Sequence, residues 1–84
     1  MGKDDRFPNL TGREMTRILR RLCGEPVRQR GSHKFYERTQ DGRTYQVLFS
    51  YHDGATVTGG IVRQILRNDL GLTREQARKA VKKK

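Results

Sequence analysis

The 84-residue chain has one cysteine, two prolines, two histidines and no tryptophan. The single cysteine, Cys23, excludes an internal disulfide, and one cysteine with two histidines is too few ligands for a zinc constellation. Cys23 ends an apolar-periodic stretch and reads as a small buried apolar residue. Apolar residues are only 32% of the chain. In one short domain, residues 1–84, that material builds a modest core and no deep substrate cavity. Work is therefore expected on a surface or in a shallow groove, with no metal and no small-molecule cofactor. No long apolar run and no signal-peptide pattern occur, so a soluble, cytoplasmic protein is expected. Acidic residues are scarce too: 9 Asp and Glu stand against 19 Lys and Arg, a formal net charge of +10. Such a surplus favours polyanions. Nucleic acid is the first candidate, an anionic membrane the second and an acidic protein the third. The membrane is set aside because no strongly amphipathic basic helix carries bulky apolar anchors.

What is present is a clear change of period. Residues 1–9 are polar and expected to fray. Thr11-Gly12-Arg13-Glu14 reads as a capping box. Met15, Ile18, Leu19 and Leu22 then form one helical stripe, which Gly24 ends, with Pro26 following. Residues 27–30 and 33–39 alternate as two short strands broken at Gly31-Ser32. Asp41-Gly42 is a hairpin turn, and residues 43–50 form the returning strand. Thr58 is a candidate N-cap for a second helix with Ile61, Val62, Ile65, Leu66 and Leu70 on its apolar face and Gly71 at its end. Thr73 to Gln76 reads as another capping box, starting a short last helix that runs into a basic tail, residues 82–84. The expected architecture is α+β: helix, three antiparallel strands, helix, short helix. One sheet face must cover both helix stripes. The other is left to solvent or a ligand.

Three pieces of the chain carry a resemblance: "GREMTRILRRLCGEPVRQRGSHKFY", "DGR" in the hairpin, and "YHDGATVTGGIVRQILRNDLGLT". In this order and spacing, from about Leu10 to Gln76, the chain resembles the HicA family of toxin–antitoxin systems. The resemblance implies a double-stranded-RNA-binding-domain-like fold, α-β-β-β-α. It also implies a small ribonuclease (an mRNA interferase) neutralised by a HicB-like antitoxin. The family's active histidine lies in the Gly-Ser-His triplet, which implies His33 here. The chain departs from many members at Lys34, where they have a second histidine. It departs again at Leu48-Phe49-Ser50, where they have Val-Pro, and at Ala55, where they have a lysine.

Metal-independent RNA cleavage needs a base for the 2′-hydroxyl proton, an acid for the leaving 5′-oxygen and cations for the phosphate. Histidine suits both proton roles, since its unperturbed pKa of ~6.5 populates both states near neutrality. Arg28, Arg30, Lys34 and Arg38 are the candidate cations around His33. Gly31 lets a phosphate approach the backbone, and Ser32 turns the chain or holds His33 in position. His52 is the candidate for the second proton role or for a phosphate contact. It and His33 lie at similar distances from the hairpin turn, so antiparallel pairing brings both toward one end. Alternation puts His33 and Phe35 on one face and Lys34 and Tyr36 on the other. A reactive His33 must face solvent, with Tyr36 packed inward.

The rival reading is a non-catalytic RNA-binding module of the same fold, which contacts 2′-hydroxyls and phosphates without cutting. Fold alone does not separate the two. On spacing alone, His33 is an exposed strand histidine, and the resemblance is what makes it a candidate catalyst.

Overall fold

The computed structural model describes residues 6–82. The elements run β1 (Leu10–Thr11), α1 (Gly12–Cys23), β2 (Arg28–Arg30), β3 (His33–Gln40), β4 (Arg43–Phe49), β5 (Thr56–Val57), α2 (Gly59–Arg63) with a π-helical continuation (Gln64–Asp69), and α3 (Arg74–Val81). The main sheet is antiparallel with strand order β2-β3-β4, and β1 pairs with β5 beside it. This is an α+β arrangement in the α-β-β-β-α order of the double-stranded-RNA-binding-domain-like fold, with α3 added.

Both capping boxes form where the sequence predicts them. Thr11 Oγ1 accepts from the Glu14 N–H at 3.1 Å, and Glu14 Oε1 accepts from the Thr11 N–H at 2.9 Å. Thr73 and Gln76 repeat the exchange ahead of α3. Each box satisfies backbone donors that a helix start otherwise leaves open. The Asp41-Gly42 turn has positive φ at both residues, 54° and 78°, as a type I′ hairpin requires. Its register runs from Gln40↔Arg43 to Lys34↔Phe49.

That register decides what faces in. Tyr36 and Val47 are paired, and two residues further on Phe49 lies on the same side; all three are buried. They meet Met15, Ile18 and Leu19 of α1 and Val62, Ile65, Leu66 and Leu70 of the second helix in one cluster. Each fully buried side chain of this size contributes roughly 1.5–3 kcal/mol. Cys23 is half-buried against the cluster, and burial pushes its thiol pKa up.

Three features depart from the sequence expectation. Thr58 precedes the second helix, but its side chain makes no capping bond. That helix is not α-helical throughout. Leu70 N–H donates to the Ile65 carbonyl, five residues back, at 2.9 Å. In an α-helix the residue a turn below Ile65 would be Asp69. The wider turn puts the fully buried Leu70 there instead. Lastly, part of the segment expected to fray is tied down. Phe7 packs against the core, and Asn9 Oδ1 accepts from the Gly59 N–H at 2.8 Å. Residues 1–5 and 83–84, including most of the basic tail, lie outside the described residues.

The loop after β4 is fastened to the start of α1. Gly12 N–H donates to the Ala55 carbonyl at 2.8 Å and Arg13 N–H to the Asp53 carbonyl at 3.0 Å. Gly12 is required here, because a Cβ would overlap the His52 carbonyl oxygen. The backbone of His52 is thereby fixed while its side chain stays exposed.

Candidate functional site

The sheet has one covered face and one open face, and alternation along β3 sorts the residues between them. Tyr36 points into the core, so His33, Phe35, Glu37 and Thr39 project the other way. The pairings Arg28↔Phe35↔Leu48 and Arg30↔His33 turn this face into rows across the strands. Toward the hairpin tip the rows are polar and self-satisfied. Gln46 donates to Glu37 at 2.8 Å, and the Thr39 and Thr44 hydroxyls are bonded at 3.2 Å. Toward the other end the rows carry Arg28, Arg30 and His33, with Phe35 and Leu48 among them. Leu48 is 54% exposed, an unusual position for a large apolar residue. The guanidinium carbon of Arg28 lies 5.0 Å from the Phe35 ring centroid, a cation–π distance.

His33 is the first residue of β3 and follows the tight turn Gly31-Ser32. Gly31 has φ 58°, the left-handed conformation that this turn needs and that strains residues with a side chain. Gln29 Nε2 donates to the Gly31 carbonyl at 3.2 Å, which stiffens the turn from the opposite face. The imidazole of His33 is exposed and makes no hydrogen bond or ion pair among the described residues. Ser32 is exposed and likewise makes no side-chain hydrogen bond. Both His33 nitrogens are therefore available to a ligand.

The structure divides the four candidate cations between the two faces of the sheet. Arg28 and Arg30 share the face of His33. Lys34 and Arg38 share the parity of Tyr36 and lie on the helix side of β3. Lys34 borders a small polar cleft with Thr16, Arg20, Glu25, Gln29 and Tyr36. Arg20 and Glu25 close part of that cleft with a 2.5 Å ion pair. Arg38 donates to the Gln40 side chain on the same side of the strand. His52 is at the expected end of the hairpin, but the ladder stops at Lys34↔Phe49 and His52 lies three residues beyond it. No hydrogen bond joins His52 to His33. Sequence reasoning missed the Arg28–Phe35–Leu48 row. Counting pairs back from the Asp41-Gly42 turn would have aligned Phe35 with Leu48, but nothing in the sequence placed Arg28 over the ring.

Among the described residues no group of three or more His, Cys, Asp or Glu side chains is placed to hold a metal ion. No helix among the described residues is long and apolar enough to cross a membrane.

A family model described as "HicA toxin of bacterial toxin-antitoxin" matches residues 12–72. The chain belongs to the HicA toxin family. The matched span runs from the start of α1 to Leu72, and so contains the whole open face of the sheet and both helices that back it. HicA membership makes the chain the toxin of a toxin–antitoxin system, with an antitoxin as its partner. Searches of curated proteins and of solved structures returned no match.

Proposed function

We propose that this HicA toxin is an endoribonuclease that cuts single-stranded messenger RNA in the cytoplasm, with His33 as general base or acid. The observation that carries the reading is a partner-free imidazole on an open face, beside Arg28 and Arg30, held by a turn with no side chain at Gly31. In the reaction, the 2′-hydroxyl oxygen attacks the adjacent phosphorus and loses its proton to a base. The P–O5′ bond breaks, and the departing 5′-oxygen takes a proton from an acid. The products are a 2′,3′-cyclic phosphate and a 5′-hydroxyl. The two arginines hold the phosphate and offset the charge that builds on it. His33 supplies one of the proton transfers, a step worth about 10²–10⁴-fold. His52 supplies the other or contacts a neighbouring phosphate. No metal enters this scheme. Gly31 and Ser32 form the rim over which the phosphate approaches, and Lys34 and Arg38 extend the positive field from the far side of the strand. A HicB-like antitoxin that covers the open face blocks all of this at once.

A second reading has an observation of its own. Among the described residues His33 has no hydrogen-bonded second acid or base, which suits an RNA-binding module that never cuts. Induced expression of wild type and His33→Ala, with cellular RNA run on a gel, separates the two. The nuclease reading expects growth arrest and RNA loss in wild type, both abolished in a folded His33→Ala. Equal arrest by both proteins would mean toxicity through binding. Mass spectrometry of the fragments checks the chemistry: 5′-phosphate and 3′-hydroxyl ends would overturn the proposed route.

A further inference from the structure

We propose that the Arg28–Phe35–Leu48 row is a base-stacking platform that takes one unstacked base of single-stranded RNA and sets it beside His33. The proposal rests on the nuclease reading only for what happens at His33, since the platform itself is a binding site.

The row is continuous across three strands, because Arg28 pairs with Phe35 and Phe35 with Leu48. With strands about 4.8 Å apart it is about 10 Å wide, which gives one base room to lie flat. Its surface joins the Phe35 ring, the Arg28 guanidinium 5.0 Å from the ring centroid, and the Leu48 side chain at 54% exposure. Aromatic rings and guanidinium planes are the surfaces on which proteins stack splayed-out bases. Leu48 also lies between two buried residues of β4. Its two neighbours, Val47 and Phe49, face the core, so Leu48 serves no packing purpose on the inner side.

The surroundings indicate the occupant. An apolar patch alone suits many partners. This one is bordered by Arg30 and His33 on one side and lies on a chain of net charge +10. The ligand must therefore combine apolar faces with an anionic backbone, which is the composition of single-stranded nucleic acid. A duplex hides its base faces in the stack and offers the platform nothing. His33 is two residues from Phe35 on the same face, about 7 Å along the strand. A base on the platform thus brings a phosphate of its own or the adjoining nucleotide to the imidazole. The platform would act as a positioning device and as the source of strand selectivity.

The absence of tryptophan supplies the test. Phe35→Trp places a sole indole in the row, and its emission is titrated with a 2′-O-methylated single-stranded oligonucleotide. That probe lacks the nucleophile and cannot be cut by the proposed route. Saturable quenching by the single strand, and not by the duplex of the same sequence, is expected. In the otherwise unchanged chain, Phe35→Ala should weaken single-strand binding at least about fivefold, the lower end for losing one base–aromatic stack. Phe35→Leu, which keeps apolar bulk without the ring plane, should lose most of the same affinity. His33→Ala in the Phe35→Trp background should keep the quenching. If the single strand binds with no change in emission, the platform is wrong, whatever His33 does. If emission moves only with a co-purifying antitoxin and not with RNA, the row is a protein contact and the proposal also falls. If quenching occurs but no RNA is cut in cells, the platform stands and the nuclease reading fails.

Discussion

Tyr36 carries a hydroxyl that the fold does not use. The residue is 0% exposed, and its Oη has no hydrogen-bond partner among the described residues. Burial pushes its phenol pKa up. The ring fills the centre of the sheet's inner face, and the residue borders the small polar cleft that Lys34 also lines. An unpaired buried hydroxyl costs about 1–3 kcal/mol, so Tyr36→Phe should raise stability by about 1 kcal/mol. For a domain of this size that is a rise of about 4–8 °C in the thermal midpoint, read by circular dichroism. A loss of stability would show that the hydroxyl is satisfied in solution. His33 is the converse case. It is one strand position from Lys34 and three from Tyr36, yet it faces solvent with both nitrogens free. The pleat alone separates a structural aromatic from a candidate catalyst.

At the scale of elements, the second helix holds a compromise between sequence and packing. Widening the turn at Ile65 brings Leu70 into the core and leaves Asp69 half-buried at the end of the π-helical segment. Burial raises the Asp69 carboxyl pKa in the folded protein. The folded state therefore holds this proton more tightly than the unfolded chain does. Its contribution to stability is greatest when the group is protonated and is lost as pH rises through the carboxylate range. Asp69→Asn removes that loss. The variant should melt slightly higher than wild type at pH 7, and the difference should shrink toward zero as pH falls below the raised carboxylate pKa. A gap that widens in acid would contradict the burial argument. The π-turn was not legible in the sequence, because Ile61, Val62, Ile65, Leu66 and Leu70 fit an α-helical stripe well enough. Only the packing shows that Leu70, and not Asp69, takes the place below Ile65. β1 and β5 were missed for another reason: two residues each are too few to show a period. The Asn9–Gly59 bond spans 50 residues, beyond any local pattern. The capping boxes, the hairpin and the sheet parity were legible because each is set by residues within a turn of one another.

Over the whole molecule the question is where the net charge of +10 acts. Sequence reasoning grouped Arg28, Arg30, Lys34 and Arg38 around His33 because they are near it along the chain. Alternation had already assigned Lys34 to the Tyr36 side, and the structure divides the four into two faces. Arg28 and Arg30 stand with His33, whereas Lys34 and Arg38 stand over the helix layer. If the open face is the RNA interface, the two pairs should differ in the salt dependence of binding. Each phosphate contact to a single strand adds roughly −0.7 to the slope of log K against log salt. With a 2′-O-methylated single strand as ligand, Arg30→Ala should flatten the slope by about 0.7, and Lys34→Ala should leave it unchanged. Anisotropy titrations at four or five salt concentrations are enough to resolve this. Equal flattening by both variants would mean that the strand passes round the edge of β2 to reach the helix side. The binding path would then be longer than the open face, and an antitoxin that covered only that face would leave part of it accessible.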